Sequence, residues 1–184
     1  QLDDISITDQ YVLDHINQLG IRYDKGGDQH YDVASAMIKA IRGSDPNAAV
    51  YWLARMLSGG EDVKFISRRL LIAASEDIGL ANPTALVMAK STADALMFVG
   101  MPEGRIILSQ CVIYLACSPK SNSAYQAFNT AKSFIENQGH LDVPIHLRNA
   151  PTKLMKDLGY GEAYRYPHDF SGSFIDQNYL PKGL

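Results

Sequence analysis

The sequence predicts an all-α fold, a multi-helix bundle followed by a helix-poor C-terminal arm. In successive segments the apolar residues recur at spacings of three and four, which places them on one face of a helix. Glycines and X-Pro pairs separate these segments, and both are signals at which helices end and begin. No run of residues alternates between apolar and polar over the length of a strand.

The bulk composition is that of one globular domain. The chain has 184 residues and a mass of 20.3 kDa, which is enough to bury a core without disulfides or metals. Its formal net charge of −3 argues against a strongly basic coat for nucleic acid. Any contact with DNA must therefore be local.

The two cysteines cannot pair with each other. Cys111 and Cys117 lie on one predicted helix, about 9 Å apart along its axis, which is too far for a disulfide. We expect both to be buried thiols in a reducing, cytoplasmic compartment. The most apolar run, Ile106 to Cys117, is shorter than the roughly 20 residues that span a bilayer.

The clearest prediction is a helical hairpin over residues 42–83. Asp45 can cap its first helix, Pro46 suits the first helical position, and two glycines end it. The second helix ends near the acidic pair Glu76 and Asp77. The predicted inward stripe of the first helix is Val50, Leu53, Ala54 and Leu57, widened by Trp52 and Met56. That of the second helix is Val63, Ile66, Leu70 and Ala73 or Ala74.

Further helices are predicted on both sides of this hairpin. Thr8 can cap a short helix that ends at Gly20, and a helix over 30–43 follows.

After the hairpin, one helix begins at Asn82-Pro83 with the stripe Leu86, Ala89, Ala93 and Leu96. The next begins at Pro102, is apolar on nearly every side, and is the expected central rod of the core. Ser118-Pro119 begins a long helix with the stripe Ala124, Phe128, Ala131 and Ile135. An extended HLRNA segment and a short helix in TKLMKDLGYG complete the prediction.

The motifs for nucleotide and metal binding are not found. No G-x-x-x-x-G-K-[ST] loop occurs, the five histidines never show the i, i+4 spacing with a Glu, and there is no C-x-x-C. We therefore predict no metal, no cofactor and no catalytic residue in this chain. The adjacent His168 and Asp169 could act as acid and base, but a solvated pair is the better prediction.

We expect Glu76 and Asp77 to have a cationic partner. Both carboxylates lie in the last turn of the predicted helix, where the negative end of the helix dipole destabilises negative charge. The candidates are Lys39, Arg42, Arg148 and Lys153. A buried or interfacial ion pair is the favoured interpretation over a catalytic dyad. Among these partners the segment HLRNAPTK, which contains Arg148, is the prime candidate.

A second polar region covers residues 145–168, where basic residues and tyrosines are interleaved. Such a patch can contact a phosphate backbone and stack on bases. The alternative is that the arm packs against the helices or against another subunit. The candidate contacts to DNA or to a subunit are Arg148, Lys153, Lys156, Tyr160 and Arg165.

Four segments resemble the C-terminal part of the MgsA/RarA family of AAA+ ATPases, which act in replication-fork maintenance, recombination and repair. They are YDKGGDQHYDVASAMIKAIRGSDPNAAVYWLARML, RRLLIAASEDIGLANP, VIYLACSPKSNSAY and VPIHLRNAPTKLMKDLGYGEAYRYPHD. The family is related to the eukaryotic Werner-helicase-interacting ATPase.

The resemblance implies a helical domain like the clamp-loader collar, which holds the ATPases in a tetramer. It also implies DNA and single-stranded-DNA-binding protein as partners, a cytoplasmic and nucleoid-associated location, and ATP with Mg²⁺ bound by an N-terminal core that this sequence lacks. The expected division is 1–20 as a remnant after the ATPase lid, 21–159 as the oligomerisation domain and 160–184 as an extended arm. The rival hypotheses are a DNA-binding module and a small-molecule enzyme centred on Glu76, Asp77 and a histidine.

Overall fold

The structure, a computed structural model, describes residues 28–183, and seven α-helices lie within this range. They are α1 (Asp28–Arg42), α2 (Pro46–Ser58), α3 (Val63–Ala73), α4 (Thr84–Val99), α5 (Gly104–Cys117), α6 (Ser123–Gln138) and α7 (Lys153–Asp157). A π-helical segment (Ala74–Ile78) and a 3-10 turn (Gly79–Ala81) connect α3 to α4. No strand occurs in residues 28–183, which confirms the all-α prediction.

Helix α5 is the centre of the bundle that α1 to α5 form. It packs against each of the other four helices, which confirms the prediction of a central rod. Its inward side chains belong to one continuous apolar core. The largest fully buried members of that core are Met37, Ile41, Leu53, Met56, Ile66, Leu70, Ile78, Leu96, Leu108, Leu115, Val112 and Cys111.

Local capping explains where the hairpin helices begin. The Asp45 carboxylate accepts a hydrogen bond from the Ala48 backbone N–H, and Pro46 takes the first position of α2. Asp62 caps α3 in the same way through the Lys64 backbone N–H. These contacts span no more than three residues, so the sequence alone could predict them.

The buried faces of two helices differ from the predicted stripes. In α2 the buried side chains are Ala49, Leu53 and Met56, and Ala54 is exposed. In α4 they are Ala85, Ala89, Thr92 and Leu96, whereas the predicted Leu86 is exposed. Alanines therefore lie beside larger side chains on both buried faces, Ala49 in α2 and Ala85 and Ala89 in α4.

Helix α6 and Cys117 also correct the sequence prediction. The helix begins at Ser123 and not at Pro119, because the Ser121 N–H is donated to the Asp77 carbonyl and not to a helical turn. Its predicted inward stripe, Ala124, Phe128, Ala131 and Ile135, is exposed throughout. Cys111 is buried as expected, but Cys117 is exposed.

The chain divides into two compact units, one ending at Phe128 and the other beginning at Asn129. The division falls inside α6, within the predicted 21–159 domain. In the second unit, the segment predicted to be extended contains a 3-10 turn (Ile145–Leu147), and two further 3-10 turns follow at Pro167–Asp169 and Ser171–Ser173. The arm folds back within its unit, since Arg165 N–H donates to the Gln177 side chain.

Some predictions lie outside the described residues. The helix that begins near Thr8 and the boundary between residues 20 and 21 are among them. Over residues 28–183, no helix combines the length and apolar character that crossing a membrane requires.

Candidate functional site

The acidic pair lies in the π-helical segment, and Arg42 is its cationic neighbour. The Arg42 Nε donates to Asp77 Oδ1 at 2.5 Å, and Nη2 lies 3.5 Å from Asp77 Oδ2 and 3.8 Å from Glu76 Oε1. The Asp77 side chain is only 6% exposed. The hydrogen bond with Asp77 and its charge raise the pKa of Arg42 above the ordinary value.

A close backbone approach lies directly after the acidic pair. After the wide π turn, Gly79 has a φ of 48°, a conformation that side-chain-bearing residues rarely adopt. A Cβ on Gly79 would lie 2.8 Å from the Ser121 carbonyl oxygen. The glycine therefore lets the loop before α6 approach closely, and Ser121 N–H donates to the Asp77 carbonyl at 2.8 Å.

Lys120 holds this loop against the end of α5. Its Nζ donates to the carbonyl oxygens of Ala116 and Ser118 at 2.8 and 2.5 Å, and to Ser44 Oγ at 3.0 Å. Partial burial lowers the pKa of Lys120. All three donors of the ammonium group are thus engaged.

An open cavity of about 370 Å³ lies beside these groups. It is lined by Arg42, Glu76, Asp77, Lys120, Ser121, Asn122 and Tyr125. Two carboxylates face two cations, so the formal charges cancel, and the lining contains no histidine or cysteine. The cavity can accept polar groups from a partner.

The four candidate partners of the acidic pair have different surroundings. Arg42 contacts both carboxylates, and Lys39 is exposed on α1. The segment HLRNAPTK lies in the second compact unit, and its role as a partner of the acidic pair stays a prediction. Asp77 takes its ion pair from Arg42, and Arg148 faces Asp142.

Arg148 is the centre of a second cluster, in the C-terminal unit. Its Nε donates to the Val143 carbonyl at 2.7 Å, Nη1 donates to the Tyr160 hydroxyl at 3.3 Å, and Nη2 lies 3.9 Å from Asp142. The guanidinium carbon lies 5.3 Å from the centre of the Tyr160 ring. Arg148 and Tyr160, two predicted candidates, are thus in direct contact.

A cavity of about 500 Å³ opens beside this pair, and we call it the tyrosine cavity. Gly161 N–H donates to the Ile145 carbonyl at 2.9 Å. A Cβ on Gly161 would lie 3.3 Å from the Arg148 carbonyl oxygen, so a glycine fits this close approach. The lining is His146, Leu147, Arg148, Asn149, Ala150, Tyr160, Gly161, Tyr164 and Tyr179.

The remaining predicted candidates lie outside the lining of the tyrosine cavity. Lys153 and Lys156 are exposed on α7 and form no ion pair within residues 28–183. Arg165 lies over the Phe170 ring, 4.8 Å from its centre. His168 contacts Ser173, with Nδ1 and Oγ 3.2 Å apart.

Sequence reasoning missed Lys120, Asn149 and Tyr179 as cavity residues. A basic residue just beyond a helix end is a recognised signal for bonding the last carbonyls, and Lys120 carries it. Tyr179 lies nineteen positions after Tyr160 in the sequence, and no local spacing signals their proximity. In the described part of the chain, no cluster of three or more His, Cys, Asp or Glu could hold a metal.

Comparison with known proteins places the chain in a family. Residues 43–184 match the family described as MgsA AAA+ ATPase C terminal, and residues 1–42 match the AAA C-terminal domain. Replication-associated recombination protein A of Coxiella burnetii is 46% identical over 180 residues, covering 97% of this chain and 41% of the relative. The protein of the same name in Haemophilus influenzae is 50% identical over 164 residues, covering 89% and 37%.

A eukaryotic relative is equally similar. The ATPase WRNIP1 of Dictyostelium discoideum is 46% identical over 182 residues, covering 98% of this chain and 21% of the relative. The chain thus spans less than half the length of these relatives. It belongs to the MgsA family of AAA+ ATPases and corresponds to the C-terminal region of its members.

Proposed function

We propose that this chain is the assembly module of an AAA+ ATPase that acts in replication-associated recombination, and that it joins the ATPases into a tetramer. The observation that carries the proposal is an exposed apolar surface where α4 ends and α5 begins. We call it the α4–α5 corner, and it consists of Met97, Phe98, Val99, Met101 and Ile106.

The exposure of this corner favours self-association. The Phe98 side chain is 93% exposed and Ile106 is 61% exposed. Covering a large apolar side chain is worth about 1.5–3 kcal/mol, and contiguous apolar surface on a soluble domain commonly marks an interaction site. A closed point-group assembly would cover the same corner on every copy.

Light scattering of the 184-residue chain tests the assembly role. We expect a mass close to four times 20.3 kDa, or close to two times 20.3 kDa if a dimer of dimers dissociates on dilution. A strict monomer at concentrations of hundreds of micromolar would refute the proposal.

We extend the proposal to the activity of the whole protein in which this chain works. The relatives described above are named as a recombination protein and an ATPase. We propose that this chain works within such a DNA-dependent ATPase in the cytoplasm at the nucleoid, with DNA and single-stranded-DNA-binding protein as partners. Within residues 28–183 no cluster of three or more His, Cys, Asp or Glu could hold a metal ion, and we derive no catalytic step from this chain.

A contact with nucleic acid is the second candidate function. It is favoured by Arg148 lying against Tyr160 and by the two exposed lysines of α7. Residues 145–168 carry four basic and two acidic side chains, so we expect salt-dependent binding to DNA. If Lys153→Glu combined with Lys156→Glu leaves the affinity unchanged, this patch is not the contact.

A further inference from the structure

We propose that the tyrosine cavity accepts an unstacked base of single-stranded DNA. The inference rests on the proposed nucleic-acid contact and adds to it the ligand class and the residues that select it. The patch predicted from sequence contained basic residues and tyrosines, and the structure gathers Tyr160 and Tyr164 with the distant Tyr179 around one cavity. Recognition would therefore depend on the base and not only on the phosphate.

The size and the lining of the cavity suit a planar heterocycle. A volume of about 500 Å³ lies within the range of small-molecule sites. Three tyrosines and a histidine contribute rings, and the residues Tyr164 and Tyr179 are 43% and 48% exposed. Aromatic side chains that are open to solvent are the platforms on which single-stranded nucleic acids stack.

The polar groups of the lining suit the edge of a base. Asn149 offers an amide that can both donate and accept hydrogen bonds. His146 Nε2 donates to the Asn178 carbonyl at 2.8 Å, so Nδ1 is the ring nitrogen left to meet a ligand. Such paired donors and acceptors complement the edges that an unpaired base exposes.

The charge distribution argues against a phosphate inside the cavity. Arg148 is held by Val143, Asp142 and Tyr160, so its guanidinium already has partners. Residues 129–184 carry six basic and six acidic side chains, so the unit has no general attraction for a polyanion. Lys153 and Lys156 are exposed, and Lys153 follows the cavity residue Ala150 by three positions. These lysines can contact the phosphates on either side of the bound base.

The test compares ligands that differ only in their bases. Fluorescence anisotropy of the 184-residue chain would use a labelled oligothymidylate of 15 nucleotides, an abasic backbone of equal length, a 15-base-pair duplex and an acidic peptide. We expect the oligothymidylate to bind at least fivefold more tightly than the abasic strand or the duplex. With two phosphate contacts, the logarithm of affinity should fall with the logarithm of salt concentration with a slope of about −1.4.

Substitutions locate the contact. Tyr164→Ala should weaken binding about 5- to 150-fold, and Tyr164→Phe should stay within about twofold, because stacking needs the ring and not the hydroxyl. Tyr179→Ala is a second variant with the same expectation. Tyr51→Ala removes an exposed tyrosine of α2 and should leave the affinity unchanged. Light scattering of each variant checks that assembly persists.

Four results would overturn the inference. Equal affinity for the oligothymidylate and the abasic strand would show a phosphate contact without a base site. Unchanged affinity in both alanine variants would place the base elsewhere. Tyr164-dependent binding of the acidic peptide, without binding of the oligothymidylate, would assign the cavity to a protein partner. If no nucleic acid binds at all, the proposed DNA contact fails together with the inference.

Discussion

Arg42 at the end of α1 and Asp77 in the π-helical segment are joined by a hydrogen bond of 2.5 Å from Nε to Oδ1. The two residues are thirty-five positions apart in the sequence. The carboxylate is buried, whereas the arginine side chain is 51% exposed. The pair therefore neutralises an interior charge with a cation that reaches in from the surface.

Removing the cation should destabilise the first unit. Arg42→Ala leaves the Asp77 carboxylate buried without its ion pair, and we expect a loss of about 1–3 kcal/mol in the free energy of unfolding. Urea unfolding followed by the fluorescence of Trp52, the only tryptophan, measures it. Lys39→Ala on the same helix should change stability by less than about 0.5 kcal/mol. Equal losses in both variants would contradict the assignment.

Gly79 should tolerate no side chain. Gly79→Ala combines a positive φ with a Cβ only 2.8 Å from the Ser121 carbonyl oxygen, so we expect a loss of about 2–4 kcal/mol. The matched control is Gly100→Ala, where φ is 74° but nothing lies within 4 Å of the new Cβ. That variant should show the conformational strain alone, about 1–2 kcal/mol. Equal melting temperatures for the two variants would refute the role of the close approach.

The two thiols should react at different rates. Cys117 is exposed and Cys111 is fully buried. In the native protein a thiol reagent should modify one cysteine per chain rapidly, and the second only after urea unfolds the bundle. Cys117→Ser should abolish the rapid phase, whereas Cys111→Ser should retain it. A rapid reaction of two thiols per chain would contradict the buried position.

Burial of Cys111 should also make stability depend on alkaline pH. Burial raises the pKa of the Cys111 thiol, and a hydrogen bond with Thr92 partly opposes the shift. The folded chain therefore keeps a proton that the unfolded chain loses above the ordinary thiol pKa. Stability contributed by this group is complete below that pKa and is lost as pH rises towards the folded value, by at most about 1.4 kcal/mol per pH unit.

The comparison that isolates this effect is between the native chain and Cys111→Ala. The lowered pKa of Lys120 acts in the opposite direction, since its proton is lost more readily from the folded state, but both proteins share it. Unfolding free energies at pH 8 and pH 10 should fall more in the native chain. A parallel decrease in both proteins would show that Cys111 does not contribute.

A charge in the α4–α5 corner should dissociate the assembly. Phe98→Asp introduces a carboxylate at a side chain that is 93% exposed, so the fold should persist while the association constant falls at least 100-fold. Sedimentation velocity measures the distribution of masses. The control is Phe174→Asp, at an exposed phenylalanine of the C-terminal unit. If both variants dissociate, or if neither does, the α4–α5 corner is not the assembly interface.

Much of the helical layout could be predicted because its signals are local. Asp45, Pro46 and the glycines after Ser58 bound α2, and the structure has it within those limits. Which face turns inward was harder to predict. In α4 apolar side chains occur on several faces, so periodicity could not choose between Ala85 and Leu86 for the buried position.

The sequence by itself determined the all-helical class, the starts of the hairpin helices and membership of the family, because caps act within four residues and long ordered matches are specific. Tertiary structure decided which cation meets Asp77, which helix faces are buried and which tyrosines share a cavity. Those features join residues that are tens of positions apart, such as His146 and Asn178. Their proximity depends on how whole elements pack, and no local pattern in the chain encodes it.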